Sequence, residues 1–597
     1  MSAVRHRGVT GLLVLLVGLA AGPVLAGCVS VPTSGPVSSV GEPPGVGSSQ
    51  VNVPAGPAPG ASREELVQGF LAAMEAFPVS TEVATTFLTD SAAQRWHPQR
   101  GTVVYDDPSA LALPGGRVAV DMREVATLTA RGTFLPSSRP DSVRRQVFSL
   151  ARVDGEWRLD NPPDALFIRR YFFEQTYRSF DLFFLDRSGE ALVADPVYLP
   201  IGDQLATRLV QGLLAGPTRW LGDQATAAAP PGTEVEPSVP LQPDGVADVQ
   251  LSQPVADASP EQLERLSAQL VWTLGQVDGI EGVRISVDGA PVSVEGTGVV
   301  QSLGAWPQYD PNGSSLRAQL YALRRGALTV VGDADPVAGI WGRGAGLADF
   351  SVDRDVSLVA ALDGSRRRLL QGPLSAEADS QVETWYRARG TLSDPQWDRT
   401  GHLWVLDHTA GATRWVVADG QRAVAVPAGR LGRADVTAMA ISADGSRVAA
   451  VVDGWDGPVW GGGRSPGQTV VIARVVRSVD GESVRRIDRA YAVHARGAGF
   501  TKVLDIDWSS PSRVAVLADI GSLTAQPFQL ALDGSSLLGG TVSGEALLEV
   551  EARTLAAVGV ADAPTVVGDS GGNLSVLGTD EPWSVVADGL RRPHYPS

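Results

Sequence analysis

Cysteine is nearly missing from this chain. Cys28 is the only one among 597 residues, which excludes an internal disulfide and leaves the folded parts to be held by their apolar cores. Lysine is as scarce: Lys502 stands alone among basic residues that are otherwise arginine. Histidine is limited to His6, His97, His402, His408, His494 and His594. Positive charge is in deficit, with 49 Lys and Arg against 66 Asp and Glu and a net charge of −17. A chain of that sign lacks the electrostatic footprint of phosphate-backbone binding, so nucleic acid is excluded as a partner. Long apolar runs are lacking after the first residues, and no later stretch approaches the roughly 20 apolar residues of a membrane span. At about 150 residues per domain, the length predicts three to four domains.

What is present begins with an export signal. Arg5 and Arg7 precede an apolar stretch over 9–26 that ends in small residues, the three parts of a secretory leader. Gly18, Gly22, Pro23 and Gly27 interrupt that stretch, which argues against a spanning helix. Leu25-Ala26-Gly27-Cys28 resembles the bacterial lipobox. That resemblance implies removal of residues 1–27 and a Cys28 carrying N-palmitoyl and S-diacylglycerol groups. Each buried CH₂ contributes about 0.8 kcal/mol, so several chains hold a protein at a membrane where one would not. The expected location is the extracytoplasmic face of the cell membrane. Arginine in place of lysine, with abundant Ala, Gly and Val, resembles the usage of GC-rich genomes such as those of actinobacteria.

Residues 28–61 are mostly Pro, Gly, Ser and Val, with almost no charge. Such a segment buries too little to offset its ordering entropy and reads as a tether. Ser62 and Glu65 then form a capping-box pattern, and Leu66, Phe70 and Met74 follow on one helical face. Alternating β-formers over 118–134 and 145–168, with Asp154-Gly155 as a hairpin signal, predict helices followed by a curved antiparallel sheet. Residues 62–176 thereby resemble the NTF2-like α+β fold. Over 177–296 the pattern is strand, helix, strands, helix, strand. One helix ends at Gly216-Pro217, and a second opens at Ser259 with Pro260 at its first position and Gln262 at its third. The segments 206–218 and 259–274 resemble the GerMN domain. Residues 297–597 repeat a unit of apolar strand, Asp/Ser/Gly turn and apolar strand, seen over 351–370, 395–408, 438–452, 503–519 and 565–578. Strand-built units of about 40–50 residues predict a β-propeller, here of six or seven blades, with Trp397, Trp404 and Trp508 filling the spaces between sheets.

Motifs that suggest chemistry have plainer readings. Gly568-Asp569-Ser570-Gly571-Gly572 matches the string around a chymotrypsin-like nucleophile, but no histidine sits in the context that mechanism needs and a strand-to-strand turn explains the glycines. His402, Asp407 and His408 lack metal-ligand spacing, the acids over 453–456 lack the alternation of a calcium loop, and the glycines over 461–463 follow no strand-to-helix pattern. Asp121, Asp154 and Glu156 read as turn or surface acids, and Arg208 and Arg219 as solvated side chains able to meet a carboxylate. No catalytic residue, metal site or cofactor is assigned, and no enzymatic activity is expected.

Lipobox, tether, NTF2-like region, GerMN region and propeller, in that order, resemble the LpqB family of actinobacterial lipoproteins. The resemblance implies contact with the extracellular part of a sensor histidine kinase, MtrB of the MtrA–MtrB two-component system, and an effect on cell-wall homeostasis and division. The alternative is an envelope binding protein for a cell-wall fragment without kinase contact. Expected partners are therefore the membrane through Cys28, an MtrB-like kinase, and cell-wall components.

Overall fold

The computed structural model describes residues 52–597, apart from 139–141, 314–318, 345, 376–381, 419–421, 465–466, 494–499, 522, 536–550, 560–562 and 577–582. Cys28, most of the tether, His6 and His494 lie outside the described residues. The architecture is multidomain α+β, with one curled sheet and several small, mostly antiparallel ones.

The first region opens on the helix Arg63–Ala73. Its capping box is complete: the Ser62 hydroxyl accepts from the Glu65 amide at 3.2 Å, and the Glu65 carboxylate accepts from the Ser62 amide at 2.8 Å. Each side chain satisfies an amide that the helix start leaves orphaned. Leu66, Phe70 and Met74 are all buried, together with Phe87, Trp96, Phe148 and Phe167, against a six-stranded sheet. Its long strands Gly101–Leu113 and Arg117–Thr129 pair with two register shifts, which bend them. The Asp-Gly signal is realised: Val153 pairs with Glu156 across Asp154 (φ +53) and Gly155 (φ +84), a two-residue turn with both central residues left-handed.

The middle region has two layers of sheet and helix. Strands Tyr177–Asp186 and Leu192–Pro200 form a hairpin whose turn is tied by the Asp186 carboxylate, which accepts from the Glu190 and Ala191 amides. Strands Val246–Leu251 and Gly282–Val287 run parallel, joined through the helix Pro260–Leu274, as a parallel pair requires. That helix is capped by the Ser259 hydroxyl, which accepts from the Gln262 amide at 3.2 Å. Leu209, Val210, Leu270 and Ile285 meet in one core that also takes in Trp306 and Tyr309.

Among the described residues, six small sheets follow in chain order. They open with the hairpin Tyr321–Arg324 and Ala327–Val330, and continue with sheets starting at Asp349–Val352, Thr391–Trp397, Asp435–Ile441, Phe500–Ser510 and Ala552–Ala556. The last strand, Arg591–His594, returns to pair with Tyr321–Arg324, so the first sheet holds both ends of the region. From the second sheet on, the starting strands of successive sheets lie against one another. Trp397, Trp404 and Trp508 are buried, and the Trp508 indole donates to the Ala440 carbonyl of the neighbouring sheet at 3.1 Å.

Candidate functional site

The middle region is fastened to both neighbours by buried polar groups. On the amino-terminal side, the turn over 129–133 reaches the strand Leu192–Pro200, where the Tyr198 amide donates to the Gly132 carbonyl at 2.8 Å. Gly132 sits at φ +87, and a Cβ there would come within 2.5 Å of the Tyr198 carbonyl oxygen. Beside it, Arg131 donates to the Gly216 carbonyl at the end of the helix Leu205–Leu214 and lies 3.7 Å from the buried Asp195 carboxylate. A cation at a helix C-terminus meets the carbonyls that the last turn leaves unpaired.

On the carboxyl-terminal side, Arg447 is only 2 % exposed. It lies 3.4 Å from Asp444, donates to the Ala194 carbonyl and stands 5.4 Å above the Trp220 ring. The Trp220 indole donates to the Arg489 carbonyl at 2.9 Å and its ring meets Tyr491 edge-on. Trp460 packs on the same tyrosine and donates to the Phe134 carbonyl at 2.9 Å. Phe134 belongs to the first region, Trp220 to the middle one and Tyr491 to the last, so all three meet around one aromatic cluster.

A second concentration of polar groups lies where the starting strands of the six sheets converge. Asp505 and Asp507, two residues apart and so on one face of a strand, accept from the Leu555 and Ala557 amides of the next sheet at 2.8 and 2.9 Å. Burial pushes both carboxyls up to about 7, and it pushes Asp394 to about 6. Arg592 lies 3.3 Å from Asp349, and the charges of Asp505 and Asp394 further favour its protonated form. His594 bonds the Ser351 hydroxyl at 3.0 Å, and burial lowers its ring to about 4, so it is neutral at pH 7. Gln396, Asp507, Trp508, His594 and Ser597 help line a cavity of about 50 Å³ there. That is room for a few waters, far below the hundreds of Å³ of a small-molecule site. The acids serve to stitch one sheet to the next.

The residues singled out by sequence fall in separate places. Ser570 lies in the turn between Val566–Asp569 and Leu574–Val576, where the Asp569 carboxylate accepts from the Asn573 amide at 2.8 Å. His402 bonds Thr400 at 2.6 Å, whereas His408 bonds Ser393 at 2.7 Å. Asp407 is taken up by Tyr386 and by the Arg389 and Gly390 amides. Among the described residues no group of three or more His, Cys, Asp or Glu could hold a metal ion. Asp121 pairs with Arg145 at 2.6 Å, Asp154 is a turn residue, and Glu156 accepts from the Gly60 amide. Asp456 pairs with Arg430, and Gly461 packs against Pro136 of the first region. The side chain of Arg219 is exposed while its carbonyl accepts from Arg489. Arg208 lines a groove between the first and middle regions. Sequence reasoning passed over Arg447, Asp398 and the pair Asp505 and Asp507. The signal available for the last was Asp505-Ile506-Asp507, two acids at strand period inside an apolar run.

Comparison with known proteins follows the same three-part division. Residues 56–174 match the family model described as the lipoprotein LpqB N-terminal domain, 181–293 the one described as sporulation and spore germination, and 326–596 the lipoprotein LpqB beta-propeller domain. None of these descriptions names an enzyme. Lipoprotein LpqB of Thermobifida fusca is 30% identical over 96% of this chain and 97% of its own length. Its counterpart in Streptomyces avermitilis is 27% identical over 96% of each chain. Among solved structures, the first GerMN domain of the sporulation protein GerM from Bacillus subtilis is 24% identical over 21% of this chain and 94% of that one, with a TM-score of 0.18. Likeness to the Thermobifida protein along nearly the whole of both chains makes this chain a member of the LpqB family of extracytoplasmic, membrane-anchored lipoproteins.

Proposed function

We propose that this lipoprotein is held in the membrane through an acylated Cys28 and that it binds and modulates the extracellular part of an MtrB-like sensor histidine kinase. Residues 1–27 are the cleaved leader and 28–61 carry the anchor and tether. Residues 62–176 form an NTF2-like domain, 177–296 a GerMN domain and 297–597 a six-bladed propeller. The curled sheet with helices packed on it supports the first assignment. Six sheets in chain order, with Arg591–His594 returning to the first, support the last.

The observation that carries the functional reading is the match to LpqB proteins across nearly the full chain. Physical reasoning fits it. A tethered protein and a kinase in one membrane meet at a raised effective concentration, so a weak contact suffices. Three regions fastened around the cluster of Trp220, Trp460 and Tyr491 offer the kinase one joined body. Modulation then requires that this body prefer one kinase state, since equal affinity for both shifts nothing.

The test is a cross-linking pull-down of the anchored protein from its native host, read by mass spectrometry, beside a Cys28→Ala control. Recovery of a sensor kinase from the anchored form alone is the expected result. Recovery of wall fragments or wall-building enzymes without a kinase would replace this reading with that of an envelope ligand binder. Lipid labelling that persists in Cys28→Ala would remove the anchor assignment.

A further inference from the structure

Between the curled sheet and the helix Leu205–Leu214 runs a groove of about 520 Å³. It has the size of small-molecule sites and lies at a domain junction, where such sites concentrate. In a chain of net charge −17, the described residues lining it include Arg131 and Arg208 and no acid. Arg131 is engaged with the helix-end carbonyls and Asp195. Arg208 is not: among the described residues its guanidinium makes no hydrogen bond and no ion pair.

The helix explains why Arg208 points there. Leu205, Ala206, Leu209, Val210 and Leu213 are buried in the middle core. Gln204, Arg208 and Gln211, spaced four and three apart, therefore share the opposite face, which lines the groove. Gln204 and Gln211 are exposed and Arg208 half-buried. Tyr177 and Leu199 give the groove apolar surface. Burial raises the Tyr177 hydroxyl, and the Arg208 charge opposes that rise, which puts the guanidinium within electrostatic reach of the groove's interior.

A guanidinium presents paired donors that match a carboxylate. Two primary amides beside it each offer donors and an acceptor, the complement of a peptide bond. We propose that this groove binds a short peptide by its free C-terminal carboxylate, with Arg208 holding the carboxylate and Gln204 and Gln211 the adjoining peptide group. Kinase binding neither requires nor excludes this site, so the two readings fail separately.

The full-length protein in detergent is titrated calorimetrically with N-acetyl-trialanine, whose methyl side chains confine the readout to backbone and carboxylate. N-acetyl-trialanine amide and acetate serve as comparison ligands. Saturable one-to-one binding of the acid is expected, weaker by about tenfold or more for the amide and for acetate. Arg208→Gln should lower affinity by about the same factor with an unchanged melting temperature in the absence of peptide, and Gln211→Glu, which sets a like charge facing the carboxylate, should weaken it too. No saturation at millimolar peptide, equal binding of the amide or of acetate, or full affinity in Arg208→Gln would each overturn the proposal.

Discussion

Asp398 is a carboxylate on which several polar partners converge. It accepts from the Thr400 amide and hydroxyl at 2.9 and 2.6 Å, from the His402 amide at 3.1 Å, from the Trp404 indole at 2.8 Å and from Arg477 at 2.6 Å. Burial pushes its carboxyl up, but Arg477 and His402 outweigh that and hold it well below the usual carboxylate range. Removing one partner of such a pair strands the other charge out of water, so Asp398→Ala should cost about 3–5 kcal/mol. A lowered urea midpoint monitored by tryptophan fluorescence checks this, and a midpoint within error of wild type would sink it. The sequence drew attention to His402 and Asp407, which stand out by residue type. It could not reveal Asp398, because Arg477 lies 79 positions away and only the docking of two sheets brings them together. Cys28 is the reverse case: the lipobox resemblance rests on four adjacent residues and on no tertiary contact, and it lies outside the described residues.

At the scale of elements, what depended on neighbours in sequence was legible. The Ser62 and Ser259 caps, the Asp154-Gly155 turn and the strand pairs of the repeated units all rest on contacts within a few residues. One detail departs: the Gln262 side chain does not return to the cap but donates to the Ala228 carbonyl at 3.1 Å, since a tertiary acceptor competes with the local one. Ser259→Ala should therefore destabilise the middle region by about 1 kcal/mol through the lost cap alone, read as faster amide exchange in the first turn of Pro260–Leu274; unaltered exchange there would count against it. The turn over 129–133 is the opposite kind of element, because its shape is dictated by the strand it meets. Gly132→Ala adds a Cβ at a left-handed φ and against the Tyr198 carbonyl. A cost of about 1–3 kcal/mol is expected from the backbone alone. The Tyr198 amide, which donates to Gly132, should exchange faster while amides of the Pro260–Leu274 helix keep their protection.

At the scale of the whole molecule, the buried acids of the carboxyl-terminal sheets set a pH dependence opposite to that of ordinary acid denaturation. Asp505 and Asp507 titrate near 7 and Asp394 near 6 in the folded state, against about 3.9 in an unfolded chain. Between those values the folded state binds more protons than the unfolded one, so stability falls as pH rises from about 4 to about 7 and levels off above it. The many acids with lowered values, Asp363 at about 2 among them, act the other way only below about pH 4. His594, lowered to about 4 when folded against about 6.5 unfolded, opposes the fall between about pH 4 and 6.5, with one proton against the three on Asp505, Asp507 and Asp394. The melting temperature should therefore be highest near pH 5 and a few degrees lower at pH 8. Asp507→Asn removes one titrating group while its amide oxygen still accepts from the Ala557 amide, so it should flatten the slope between pH 5 and pH 8 without collapsing the fold. Scanning calorimetry across that range decides it: a wild-type melting temperature that rises with pH, or a slope unchanged by the substitution, would mean these carboxylates stay ionised and the strands they join are held by something else.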